Sequence, residues 1–222
     1  MVATVLTYAW EGEDILLGKL ASDMLGIEGT GRFIDIGAHH PFLASNTYGL
    51  YLQGWRGVNI DAMPGSMAAF QEYRPEDCNL EFGVSATEGE MLFSRFNSPM
   101  LNGFLDAGTI SSHIRRGVVL LDQIWVPVRP LAALLESNNV PYAPDVMSLD
   151  VEGHEMSVLE SNDWGRWRPK MIVAEVLNPG GICDVVKILE HPISRYLIDE
   201  HGYGLVSRLH YSLIFVDRTY IA

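Results

Sequence analysis

A chain of 222 residues with a formal net charge of −13 and a hydrophobic fraction of 48% reads as one folded domain with room for a sizeable core. The charge argues against a broad nucleic-acid footprint, since the only basic clusters are Arg115-Arg116 and Arg166-Trp167-Arg168, and no apolar run approaches the ~18 residues of a membrane span. Cys78 and Cys183 lie far apart and read as free thiols, and residues 1–6 lack the features of a signal peptide, so the expected location is the cytoplasm.

Ile15, Leu16, Leu17, Leu20, Met24 and Leu25 recur at helical spacing. They predict a helix over 14–25, closed by Gly26, with Glu13 and Asp14 at the end where the helix dipole favours acids. A first strand over 32–36 contains Asp35 and turns at Gly37 into a loop, 37–44, that carries His39, His40 and Pro41. Ser45 or Asn46 caps a helix over 47–53. A second strand over 57–60 ends in Asp61, and Pro64 sits early in the next helix, whose Met67, Phe70 and Tyr73 face the core. A third strand over 78–82 leads to Val84 and Ser85, and 91–94 reads as a short strand. The segment 96–117 is the least regular part; a connection this long inside a compact domain suggests a substrate lid with some short helix.

Residues 126–130 are extended, and a helix follows over 131–137. A fourth strand over 146–149 ends in Asp150, and Val151 to Glu155 turns into a helix through Met156, Val158 and Leu159. A fifth strand over 171–174 ends in Glu175, and 178–181 is a loop. A helix over 184–201, broken near Pro192, precedes two strands at 203–208 and 213–217 that form an antiparallel hairpin at one edge.

This alternation predicts an α/β fold, a three-layer αβα sandwich with a mainly parallel sheet, as a single domain over 1–222. Such sheets bind ligands at the carboxyl ends of their strands, where Asp35, Asp61, Asp150 and Glu175 collect. So acidic an edge suits a cationic ligand or a metal better than a free phosphate. Neither GxxxxGK[ST] nor GxGxxG is present, which argues against an NTPase and a nicotinamide enzyme. Asp61 lies about 26 residues after Asp35, near the offset of a ribose-binding acid; the plainer alternative for both is an N-cap or turn acid.

The motifs Glu11-Gly12-Glu13-Asp14, Phe33-Ile34-Asp35-Ile36-Gly37-Ala38-His39-His40-Pro41, Ser45-Asn46-Thr47-Tyr48, Gly54-Trp55-Arg56-Gly57-Val58-Asn59-Ile60-Asp61-Ala62-Met63-Pro64, Ser148-Leu149-Asp150-Val151-Glu152-Gly153-His154-Glu155 and Asn162-Asp163-Trp164 occur together. In combination the chain resembles the FkbM family of class I S-adenosylmethionine-dependent methyltransferases. The resemblance implies a Rossmann-like methyltransferase fold with an antiparallel C-terminal strand. It implies methyl transfer from S-adenosylmethionine, usually to a hydroxyl of a sugar or natural product.

On the matching positions, Asp35 and Gly37 line the methionine end of the cofactor, with Ala38 beside them. Asp61 accepts the ribose hydroxyls, Ala62 and Met63 flank the adenosine, Val84 and Ser85 approach the adenine, and Glu13 and Asn46 complete the pocket. Asp150 is expected at the cofactor too. The candidates for taking the acceptor's proton are His40, Asp150, Glu152 and Glu175, with His39 beside them. His40 has the alternative of a loop histidine that only hydrogen-bonds backbone or cofactor. Asp150 and Glu175 stand where catechol-type relatives of the fold hold magnesium, so Mg²⁺ is a second cofactor to test. The partner expected is a small-molecule or sugar acceptor, with no nucleic acid and no membrane. Methylation of a nitrogen or carboxylate on a small metabolite, and a non-catalytic binding module, are the competing readings.

Overall fold

The computed structural model describes residues 6–176 and 184–221. The loop expected at 178–181 and the thiol of Cys183 lie outside the described residues; Cys78 is free. The chain runs through α1 (Glu13–Asp23), β1 (Arg32–Ile36), α2 (Tyr48–Leu52), β2 (Arg56–Asp61), α3 (Met67–Tyr73), β3 (Cys78–Glu81), β4 (Gly83–Val84) and β5 (Gly89–Phe96). It continues through α4 (Ala107–Arg115), β6 (Leu120–Arg129), α5 (Leu131–Ser137), β7 (Val146–Leu149), α6 (Glu155–Glu160) and β8 (Met171–Glu175). The last elements are α7 (Val185–Glu190), α8 (Pro192–Arg195), β9 (Tyr203–Arg208) and β10 (Ser212–Asp217).

Seven strands form the central sheet in the order β3-β2-β1-β7-β8-β10-β9. β3, β2, β1, β7 and β8 are mutually parallel, while β10 is antiparallel to both β8 and β9. A parallel sheet covered on both faces needs apolar side chains on both, and β7 and β10 are buried along their whole length. On one face Ile34, Ile36, Met147, Leu149 and Ile172 pack under Leu131 and Leu135 of α5, Val158 of α6 and Ile188 of α7. On the other, Phe33, Val146, Val173 and Ile214 pack against Leu17 of α1, Leu50 of α2 and Trp55. These are the three layers expected of the sequence.

The antiparallel C-terminal hairpin stands at one edge of the sheet as expected, with β10 paired to β8 and β9 outermost. One expectation needs correction: 91–94 and 126–130 are parts of two longer strands, β5 and β6, which pair antiparallel and with β4 make a separate three-stranded sheet. The segment 96–117 contains the short helix expected of it. It holds a 3₁₀ turn, Pro99–Leu101, a two-way backbone exchange between Gly103 and Ser94, and α4, capped by the side chain of Asp106. No helix among the described residues is long and apolar enough to cross a membrane.

Candidate functional site

The loops after β1, β2 and β7 are tied together by the backbone itself. Gly37 and Ala38 both donate to the Ile60 carbonyl, at 2.9 and 3.1 Å, and Asp150 donates to that of Ile36 at 3.0 Å. Gly37 has φ 78, and a Cβ added there would lie 1.7 Å from the Asp150 carbonyl oxygen. Only glycine allows so close an approach at that backbone conformation. Above this edge, between the central sheet and the three-stranded one, opens a cavity of about 1540 Å³.

One wall continues from β2. Asp61 accepts from the backbone N–H of His39 and of Met63, each at 2.8 Å, and Ala62 and Met63 lie beside it along the cavity, with Val84 also on the lining. Burial pushes the Asp61 carboxyl up, and the two N–H donors pull against that. Glu13, at the start of α1, is buried; its carboxylate accepts from the Ser212 hydroxyl of β10 and from the Glu11 N–H. Asn46 reaches the cavity and donates to Ser148 on β7 at 3.2 Å.

At the mouths of β7 and β8, one carboxylate oxygen from each of Asp150, Glu152 and Glu175 lies within 4.8 Å of the others. Glu152 sits in the left-handed region, φ 56, followed by Gly153 at φ 96. The buried carboxylate of Glu155 holds this turn by accepting from the N–H groups of Val151 and Gly153, each at 3.1 Å. The three acids line the cavity, and desolvation is the main force on each, with repulsion from neighbouring carboxylates next. Asp150 is raised to about 7, by burial and then by Glu155; Glu152 to about 8, by burial and then by Asp150; Glu175 is raised furthest, by burial and then by Asp150. Oε2 of Glu175 is buried with no hydrogen-bond partner among the described residues. The trio titrates as a unit that retains protons at neutral pH unless a positive charge enters the cavity.

Glu13, Gly37, Asn46, Asp61, Ala62, Met63, Val84, Asp150, Glu152 and Glu175 therefore meet at one cavity. Four other expected site residues do not line it. His40 turns back into its own loop, where Nδ1 accepts from Phe42 and Leu43 N–H at 3.3 and 3.2 Å, so it is not placed as a base. Asp35 shares the strand face of Phe33 and points into the helix layer, bonded to the Thr47 hydroxyl at 2.6 Å. Ala38 packs beneath α3 against Met67 and Phe70. Ser85 is turned toward Ser157 and His154, each at 3.4 Å. Sequence reasoning missed Trp10, Phe104 and the chamber-facing side of α4; the mixed aromatic and polar content of 96–117 was the only signal for the last two.

The chain was compared with known proteins. Among solved structures, monomeric WbdD is matched at 13% identity and a TM-score of 0.46, over 92% of this chain and 40% of that one, so the chain spans well under half of its length. A precorrin-6y C5,15-methyltransferase from Geobacter metallireducens GS-15 is matched at 12% identity and a TM-score of 0.42, over 96% of this chain and 91% of that one. No curated protein sequence matches the chain. A family model described as the methyltransferase FkbM domain matches residues 35–203. That match runs from the Asp35 of β1 to the first residue of β9 and takes in the loops after β1, β2, β7 and β8 that frame the cavity. The chain thus belongs to the FkbM methyltransferase domain family, whose membership implies S-adenosylmethionine as cofactor.

Proposed function

We propose that this chain binds S-adenosylmethionine at the carboxyl edge of the central sheet and transfers its methyl group to a hydroxyl of a sugar or natural-product acceptor. The observation that carries the reading is the convergence of Asp150, Glu152 and Glu175 on the cavity, one carboxylate oxygen of each within 4.8 Å of the others. The residues present fit this cofactor. Its sulfonium and ammonium groups suit the acids Glu13 and Asp150, its ribose hydroxyls suit Asp61, and its adenine suits the apolar wall of Ala62, Met63 and Val84. When bound, it supplies an electrophilic methyl group on a positively charged sulfur. The protein's part is to orient the acceptor and exclude water. It also takes the acceptor's proton, which the carboxylates can do because burial holds Asp150 and Glu152 near neutrality.

The test is calorimetric titration of S-adenosylmethionine into wild type and Asp61→Ala. Micromolar binding that weakens at least tenfold in the variant supports the reading; no binding to wild type overturns it in favour of a non-catalytic module. Release of protons on binding at pH 7, read from the buffer dependence of the heat, is expected from the same cluster. A second reading adds a divalent cation. Asp150 and Glu175, with Glu152 as a third oxygen donor, would hold Mg²⁺ and lower the acceptor hydroxyl's proton affinity. Methyl transfer lost in EDTA and restored by Mg²⁺, with cofactor binding intact, favours it. Transfer to amines rather than hydroxyls would move the chemistry to nitrogen.

A further inference from the structure

We infer that the outer half of the cavity is an acceptor subsite in which the chamber-facing side of α4 receives an oxyanion, a phosphate or carboxylate carried by the acceptor. The inference deepens the methyl-transfer reading, since it names the class of molecule that would meet the methyl group.

Thr109, Ser112, His113 and Arg116 recur three and four residues apart, so one side of α4 and its C-terminal cap lines the chamber. This side is polar where the strand behind it is apolar, with Phe93 and Phe96 of β5 on the lining. Thr109 is committed to the Asp106 cap, but the other three are not. His113 is only 9% exposed, and its Nε2 is buried with no hydrogen-bond partner; the ring is held edge-on by Phe96 at 5.4 Å. The Ser112 hydroxyl and the Arg116 guanidinium make no side-chain hydrogen bond or ion pair among the described residues. A buried polar nitrogen without a partner is uncommon enough to need an explanation, and a ligand whose entry turns the His113 ring toward the chamber supplies one. Burial, and after it the charge of Arg116, lowers the proton affinity of His113.

The donors set the ligand class. A guanidinium fork, a hydroxyl and an imidazole complement an oxyanion that accepts several hydrogen bonds at once. The two acids at this end of the chamber already have partners of their own. Asp106 is occupied by the N–H groups of Gly108 and Thr109, at 2.6 and 2.9 Å, and Asp122 by Arg95. Exposed charges farther off than a Debye length of about 8 Å are largely screened at physiological salt. The apolar wall leaves room for a carbon skeleton between the anion and the floor where the methyl group would be delivered.

The experiment uses phenyl phosphate, benzoate and phenyl glucoside as probes, titrated with and without S-adenosylhomocysteine into wild type, Arg116→Ala, Arg116→Lys and Ser112→Ala. Calorimetry reads affinity, and the imidazole C–H resonances of His113 report where the probe sits. One oxyanion probe is expected to bind at least tenfold tighter than the glucoside and to move the His113 resonances. Arg116→Ala is expected to weaken it at least fivefold, Arg116→Lys less, and Ser112→Ala about twofold, with S-adenosylhomocysteine affinity unchanged in all three. Which of phenyl phosphate and benzoate binds tells phosphate from carboxylate. The proposal is overturned if the glucoside binds as well as either oxyanion, or if Arg116→Ala leaves oxyanion affinity as it was. S-adenosylhomocysteine failing to bind while the oxyanion pattern holds would sink the methyl-transfer reading and leave this subsite standing.

Discussion

The two sheets that enclose the cavity are built on opposite rules. In the central sheet the strands carry apolar residues on both faces, and β1, β7 and β10 are buried almost end to end. Backbone pairing and apolar contact suffice there. In the three-stranded sheet β6 is mostly solvent-facing, with Trp125 66% exposed, and only Val126 and Val128 fully buried. Around its lid the contacts are polar. Asn102 accepts from the Phe96 N–H at 2.7 Å, Asn97 from that of Val119 at 3.0 Å, and Gln123 donates to Ser94 at 3.0 Å. A ligand of fixed shape suits a wall that cannot shift, whereas an acceptor is selected by a wall whose polar pairs exchange at small cost.

The contrast breaks most visibly at glycines. Gly37→Ala must push the Asp150 carbonyl aside and adopt a positive φ, and it is expected to cost more than about 3 kcal/mol or to prevent folding. Gly89→Ala, at the start of β5, meets nothing within 4 Å and should change urea stability by less than about 0.5 kcal/mol. Equal effects would refute the difference between the sheets. Next in size, Ile34→Ala in the central sheet should lose about 2–5 kcal/mol, while Trp125→Ala on the open face of β6 should lose under about 1 kcal/mol. A large loss at Trp125 would mean that this face is covered in solution.

The acid trio sharpens the comparison through pH. Its carboxyls titrate higher in the folded chain than in the unfolded one, so between about pH 4 and 8 the folded state binds more protons. The stability they contribute is full below the ordinary carboxyl range. It is lost as the pH climbs through about 7 for Asp150 and about 8 for Glu152. Melting temperature without ligand should therefore fall across that window, and Glu175→Gln, which removes the carboxyl raised furthest and with it that group's proton linkage, should flatten the fall. A melting temperature that rises equally in both proteins from pH 5 to 8 would contradict this. The Arg95–Asp122 pair on β5 and β6 is partly exposed, and a double-mutant cycle should give a coupling too small to shift the melting temperature measurably.

What the sequence disclosed follows the same division. Apolar runs ending in acids made β1, β2, β7 and β8 legible, and with them Asp61, Asp150 and Glu175, because a strand buried on both faces has few other ways to look. The direction of Asp35 is also readable in principle, since it shares period two with Phe33. His40 was not readable, for nothing in its neighbourhood announces that Nδ1 will accept from the two following amides. β6 hid because Leu120-Leu121-Asp122-Gln123 has neither strand alternation nor a turn signal, and Pro127 interrupts what remains. The subsite on α4 hid with it: its residues become a surface only once β5 and β6 stand behind them.

The bond from Ser212 of β10 to Glu13 of α1, like that from the Tyr211 N–H to Glu11, joins residues some two hundred positions apart at the cavity rim. Contacts of such separation form late, because the loop they close must be ordered before they reward it. During synthesis the ribosome delivers β1, β2, β7 and β8 well before the strand that finishes the rim. A nascent chain halted between Glu175 and Ser212 would hold most of the sheet and only part of the cavity wall. Cofactor affinity is thus expected to serve as a timing signal, appearing when β10 has docked rather than in proportion to the length made.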